Sequence, residues 1–405
     1  MKGILDGLRI VEAAAFVAAP MAGVTLAQMG ADVIRIDPIG GGLDYRRWPV
    51  TADGTSLYWS GLNKGKRSIA VNLDLIEGQE LARSLIVAPG TDAGIFVTNL
   101  SASGPMSYAS LIEKRPDLIM VHITGSPDGA IAVDYTVNSA VGFPAVTGRS
   151  LDGEPINHVL PAWDSVCAMV TTTAILAAER HRRTTGQGQY VRIALSDVAM
   201  AVVGNLGYLA EVEINSTERK AHGNDVYGTF GRDFITRDGR RLMILAITPR
   251  QWKSLLAAMD LGKAVQAIES TLGIDCFQEA DRWGARESLF PLVEDWVLSR
   301  DFDEVRSKLD DHHVLWGPYQ TFTELVANDK RCSIANPMFE EVDHPGIGKY
   351  LTPGLPIEFS QAQRVPAGST PRLGEHTEEV LSELLGLDQL SIEALRKKGL
   401  VGSDG

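Results

Sequence analysis

LRIVEAAAFVAAPMAGVTLAQMGADVIRID, residues 8–37, is the stretch whose reading decides the fold. "LRIVEA" (8–13) and "ADVIRID" (31–37) are short apolar runs rich in Val and Ile. The segment from Pro20 to Met29 between them is built of helix-compatible small and apolar residues. Near-continuous apolar strands joined by a helix belong to a parallel sheet covered on both faces. The alternation repeats: "SIAVNLD" (68–74), a helix near Glu77 to Ile86, "AGIFVTN" (93–99), a helix from Tyr108 to Lys114, and "DLIMVHITG" (117–125). A long helix is expected from Asp164 to about Arg183, ended by "TGQGQ", with "YVRIALS" (190–196) as a further strand. The class is therefore α/β, with a doubly wound parallel-sheet large domain.

From about Arg219 the texture changes. "FITRDGRRLMILAI" reads as a hairpin turning at Asp238-Gly239, followed by amphipathic helices near Gln251–Met259 and Leu289–Leu298. The expected organisation is a large α/β domain over 1–200, a linker over 201–222 and a small α+β domain over 223–317. A return linker with short strands covers 318–369, and C-terminal helices over 370–405 rejoin the large domain.

Bulk composition excludes several functions. A net charge of −13 argues against nucleic-acid or membrane-surface binding, so a polyanionic small ligand would need a local basic patch. The three cysteines, Cys167, Cys276 and Cys332, are far apart and without metal-ligand spacing, which fits a reducing, cytoplasmic setting with no metal. The first strand-to-helix turn, "AAAFVAAP", has no glycine, against the dinucleotide fingerprint; "GSPDG" (125–129) lacks the spacing of a serine-hydrolase elbow. "DDHH" (310–313) reads as an exposed helix end.

Two features carry chemistry. Asp164 is a lone acid at the edge of an apolar run free of charge until Glu179; it reads as a helix N-cap or as a carboxylate nucleophile. "NKGKRS" (63–68) packs three cations into six residues just before a strand. It reads as a solvated loop or as a phosphate clamp converging with Arg35, Arg46 and Arg47 at the carboxyl edge of the sheet.

The motifs "LDGLRIVE…AAP…LAQMGADVIRID", "LNKGKRSIAVNL", "TNL", "PDLIMVHITG", "PAWD", "AAERHRRTTGQGQ", "HGN…DGRRLMI", "HPGIG" and "PRLGEHTEEVL" occur in one order over nearly the whole chain. In this order they resemble the class III CoA-transferases. The resemblance implies an acyl-CoA substrate, no cofactor beyond the CoA thioester, and an interlocked homodimer. It implies Asp164 as the catalytic nucleophile, with Arg35, Arg47, Asn63, Lys64, Lys66, Arg67 and Asn99 on the CoA cleft. Trp48, Tyr58, Tyr135 and His158 are expected at the acyl pocket. Departures narrow the branch. Ala168 stands where many members have glycine, an arginine is missing from "TNLSASGPMSY", and a glycine-rich lid is absent near "LAITPRQW". Val133 occupies the position where racemases of the family carry a histidine base. The remaining texture resembles members that move CoA between the two carboxyls of a single mesaconyl thioester. The runner-up is transfer between two separate acids, and the third reading is an acyl-CoA binding protein without catalysis.

Overall fold

Strand β1 (Arg9–Ala13) buries four of its five residues, and α1 (Ala18–Gln28) packs nine of eleven against the interior. Both faces of the opening unit are thus covered, as the apolar runs predict. After β2 (Asp32–Asp37) come α2 (Leu57–Asn63), β3 (Arg67–Val71), α3 (Ile76–Ile86), β4 (Ile95–Thr98), α4 (Tyr108–Lys114) and β5 (Ile119–Thr124). Next follow α5 (Asp134–Ala140), α6 (Phe143–Val146), the long α7 (Ala162–Thr185), β6 (Gln189–Ala194), α8 (Leu195–Asn205) and α9 (Tyr208–Asn215). The structure, a computed structural model, describes residues 3–148 and 154–402.

A hairpin, β7 (Phe230–Ile235) and β8 (Arg241–Ala246), leads into α10 (Pro249–Met259), α11 (Gly262–Leu272), α12 (Glu279–Gly284), α13 (Arg286–Leu298) and α14 (Phe302–Asp311). The chain continues through β9 (Leu315–Pro318), α15 (Phe322–Asn328), β10 (Phe339–His344), β11 (Gly348–Pro353), α16 (Thr377–Leu385), α17 (Gln389–Lys397) and β12 (Val401–Gly402).

The main sheet has the order β12-β3-β2-β1-β4-β5-β6, parallel except for the terminal β12. Strand order therefore reverses between β1 and β4, and open sheets of this kind bind ligands at the carboxyl ends beside that reversal. One core cluster joins Val11, Ile34, Ile69, Phe96 and Met120 to Val380 and Ile392 of the last helices, so the C-terminal segment does rejoin the large unit. Helix α7 ends at Gly186, whose φ of 75° supplies the left-handed C-cap, with Arg182 and Arg183 in its last turn.

Two compact units are present: Met1–Val141, His158–Asn215 and Lys330–Gly405 form one, and Gly142–Asn157 with Ser216–Asp329 the other. The expected boundaries shift accordingly. Residues 201–215, the end of α8 and all of α9 with the turn between them, belong to the large unit, and β9 and α15 to the small one. The small unit holds the antiparallel sheet β7-β8-β9 around Phe230, Trp252, Leu255, Phe290 and Phe302. Among the described residues no single helix is long and apolar enough to cross a membrane.

Candidate active site

A cavity of about 650 Å³ opens at the carboxyl edge of the main sheet, within the size range of small-ligand sites. Its walls come from the ends of successive strands: Phe16, Val17 and Ala18 after β1, Arg47 and Trp48 after β2, Asn99 after β4, Thr124 and Gly125 at β5, and Leu195 at β6. Tyr58 of α2, Asp134 and Tyr135 of α5, and Pro161 and Asp164 complete it. At the strand reversal Asn99 spans the gap. Its Nδ2 donates to Ala15 O (2.7 Å) and its Oδ1 accepts from Ala15 N (2.9 Å), which welds the β1–α1 loop to β4.

Asp164 lies in the first turn of α7 but does not cap it. The N-cap is Pro161, whose ring carries no acceptor for the first-turn N–H groups, and no side-chain capping bond is made from it. The cap comes from elsewhere: the Asp164 N–H donates to Asp134 Oδ2 at 2.9 Å. One turn along α5, Asn138 Oδ1 accepts from Trp163 Nε1 at 3.0 Å. Positions 134 and 138 share a helix face, so α5 fixes the start of α7 through two side chains and leaves the Asp164 carboxylate to the cavity.

Burial, then the neighbouring Asp134, push the Asp164 carboxyl up to about 6, with Arg47 opposing. The Arg47 guanidinium stands 5.4 Å from the ring centroids of both Phe16 and Tyr58. Burial pushes the Tyr58 phenol up to about 12, so it remains a hydrogen-bond donor at neutral pH. Burial likewise pushes the Cys167 thiol, one turn beyond Asp164, up to about 12, which leaves it un-ionised and a poor nucleophile. The arrangement sets the Asp164 carboxyl on the cavity wall beside Asp134, with the Arg47 guanidinium and the Tyr58 and Tyr135 phenols nearby.

Of the residues expected at the site, Asp164, Arg47, Asn99, Trp48, Tyr58 and Tyr135 line this cavity. The basic segment does not. Strand β3 begins at Arg67, so residues 63–66 enter the sheet at its amino end rather than at the carboxyl edge. Lys66 Nζ is buried and donates to Glu12 Oε1 and Oε2 (3.0 Å), Pro20 O (2.9 Å) and Asn63 Oδ1 (3.0 Å). Asn63 Nδ2 turns back to Trp59 O at 2.9 Å, and Lys64 Nζ reaches Gly61 O at 3.3 Å. Arg67 engages Asp32, Glu379 and Glu383.

Arg35 is fully buried, with Nε on Asp37 (3.0 Å), Nη1 on Glu12 (3.0 Å) and Nη2 on Ala14 O (2.9 Å). Internal carboxylates and carbonyls thus hold the donors of Arg35, Lys66 and Arg67, and none of the three lines the cavity around Asp164. His158 also lies off the cavity wall, with Nδ1 buried and unpaired. Asp134, the residue that holds the Asp164 amide, went unread as a site residue. In the sequence it is one acid beside Tyr135, and only the packing of α5 on α7 reveals its partner.

Comparison with known proteins accords with this geometry. The chain is 53% identical over 402 residues to 2-methylfumaryl-CoA isomerase of Chloroflexus aurantiacus, covering 99% of this chain and 98% of that one. It is 29% identical to succinyl-CoA:mesaconate CoA-transferase of Haloarcula hispanica, covering 94% and 96%. Among solved structures, a CAIB/BAIF family protein from Brucella suis superposes with a TM-score of 0.76 at 26% identity, covering 95% and 100%. Residues 5–377 match the profile of CoA-transferase family III, and the chain belongs to that family.

Proposed function

We propose that this enzyme moves CoA from one carboxyl of a mesaconyl (2-methylfumaryl) thioester to the other, with Asp164 as nucleophile. The observation that carries the reading is the Asp164 carboxylate, freed from capping and set on the cavity wall at the strand reversal. The identity of 53% to an isomerase of that substrate supports the choice of thioester.

In the first step Asp164 attacks the thioester carbonyl, the C–S bond breaks, and CoA leaves as thiolate from a mixed anhydride. The thiolate then attacks the Asp164 carbonyl, expelling the diacid and leaving an aspartyl-CoA thioester. The second carboxylate of the diacid attacks that thioester, and the thiolate returns to the newly activated carbonyl. Each step exchanges one acyl bond for another, so a difficult transfer becomes four easier ones. Mesaconate is a trans diacid whose carboxyls cannot close on each other. The diacid therefore turns around in the cavity between the halves. Tyr58 donates to a substrate carboxylate, and Arg47 serves as its counter-charge; that both line the cavity with Asp164 supports these roles. The reaction calls for nothing beyond the CoA thioester.

We also propose a homodimer. Helix α9 buries none of its residues, and Leu206, Leu209, Val212 and Ile214 are more than half exposed, a run that a second copy would cover.

Labelled free mesaconate supplied in excess is expected to stay out of the CoA ester over about ten turnovers, because the bound diacid competes at a very high effective concentration. Label entering at the rate of isomerisation, read by mass spectrometry, overturns the intramolecular reading and favours transfer between two acids.

A further inference from the structure

The β1–α1 loop forms the cavity floor, yet its backbone is held from beneath by side chains. Arg35 donates to Ala14 O, Asn99 pairs with both polar groups of Ala15, and just past the loop Lys66 donates to Pro20 O in the first turn of α1. Between them, Asp44 Oδ2 accepts the Phe16 N–H at 3.0 Å. Phe16 has a φ of 64°, a left-handed conformation that few residues other than glycine adopt. Its ring faces the cavity beneath the Arg47 guanidinium.

Three of these holding groups, Arg35, Asp44 and Lys66, share one buried charge network. Glu12, Arg35, Asp37, Asp44 and Lys66 are all at most 3% exposed, and Arg35 touches all three acids. Asp44 also accepts the Arg35 guanidinium at 3.5 Å, so one carboxylate links the network to the strained amide. Asp37 is as deeply buried and bonds Arg35, but among the described residues it makes no hydrogen bond to the loop. Room for the network is itself encoded: a Cβ on Gly23 would meet Glu12 Oε2 at 1.9 Å.

We infer that Asp44 is a positioning residue. Its bond to the Phe16 amide holds that residue in the left-handed conformation, and so keeps the Phe16 ring under Arg47 and the first turn of α1 at the cavity. The inference rests on the CoA-transfer reading for its rate test. Parent turnover tests that reading by itself, whereas ratios between variants and an activity-independent exchange measurement test this one.

Asp44→Ala is expected to lower kcat by roughly 10- to 100-fold while KM for the CoA ester changes less than about threefold. Asp44→Asn keeps an acceptor for the Phe16 N–H and is expected to recover kcat to within about fivefold of the parent. Asp37→Asn, a change in the same network away from the loop, is expected to lower the melting temperature with kcat kept. Hydrogen exchange over residues 14–18 is expected to quicken in Asp44→Ala and not in Asp37→Asn. Equal losses of kcat in Asp44→Ala and Asp37→Asn, no recovery in Asp44→Asn, or unchanged exchange in Asp44→Ala overturns the inference. Should Asp44→Ala not fold, the parent decides: a Phe16 amide that exchanges as slowly as the sheet sustains the inference, and one that exchanges freely overturns it.

Discussion

Replacing Asp164 by alanine should remove catalysis and stabilise the fold at the same time. The geometry gives the size. Asp164 makes no capping bond, so the usual cost of about 1 kcal/mol for a lost N-cap does not apply. Burial and Asp134 hold its carboxyl at about 6 against an ordinary 3.8, which disfavours the ionised folded state by about 3 kcal/mol. The helix N-terminus returns about 0.3–1 kcal/mol, leaving a net gain for the variant of about 2 kcal/mol. The sign with pH is fixed. A raised acid penalises the folded state fully above about 6, progressively less toward 4, and not at all below the unfolded value. The variant should therefore melt on the order of 2–5 °C above the parent at pH 8, and the gap should close as the pH approaches 4. Turnover of mesaconyl-CoA should fall by at least about 10³-fold, because the covalent route is gone. A variant within tenfold of parental activity, or one that melts below the parent at pH 8, refutes the reasoning.

Two further outcomes follow from the charges around the site. Arg47 opposes the rise of the Asp164 carboxyl, so Arg47→Ala should shift the acid limb of the rate profile upward from about 6, with kcat/KM falling more at pH 6 than at pH 8; a uniform loss across pH would assign Arg47 to binding alone. Lys66→Ala should cost about 3–5 kcal/mol by leaving Glu12 buried with one partner fewer, whereas Arg67→Ala, at a partly exposed cluster, should cost about 1 kcal/mol or less. Neither should change the salt dependence of CoA-ester binding, and a flattened dependence in titration calorimetry would return both to the phosphate site.

Much of the fold was legible because parallel strands buried on both faces leave an unmistakable trace. "RIVEA", "DVIRID" and "IMVHIT" are apolar runs that need no tertiary information to be read as strands. The two-residue β12 was not legible, since its pairing with Val71 and Ala70 depends on where the last helices deliver the chain. Asp164 stood out as the one acid beside a charge-free run, yet the capping alternative fell only when Pro161 proved to be the N-cap. The partners of "NKGKR" were not legible for a plainer reason. A sequence counts cations but does not display their partners, and Glu12 meets Lys66 only through the register that aligns β1, β2 and β3.

The raised Asp164 carboxyl also bears on how the proposed anhydride divides. The CoA thiolate can attack either carbonyl. Attack on the mesaconyl carbonyl re-forms the starting ester and expels the Asp164 carboxylate into its poorly solvated niche. Attack on the Asp164 carbonyl expels a mesaconate carboxylate, free to turn toward Tyr58 and Arg47. The better leaving group is the more acidic one, and holding Asp164 at about 6 makes it the less acidic of the two. Burial therefore favours the forward branch at the step where the diacid must be set free. Too much burial would leave the nucleophile protonated at neutral pH. The first turn of α7 and the Arg47 charge counter that tendency. The value near 6 is then a compromise between an acid ionised enough to attack and one disfavoured enough as a leaving group to let go of the diacid first.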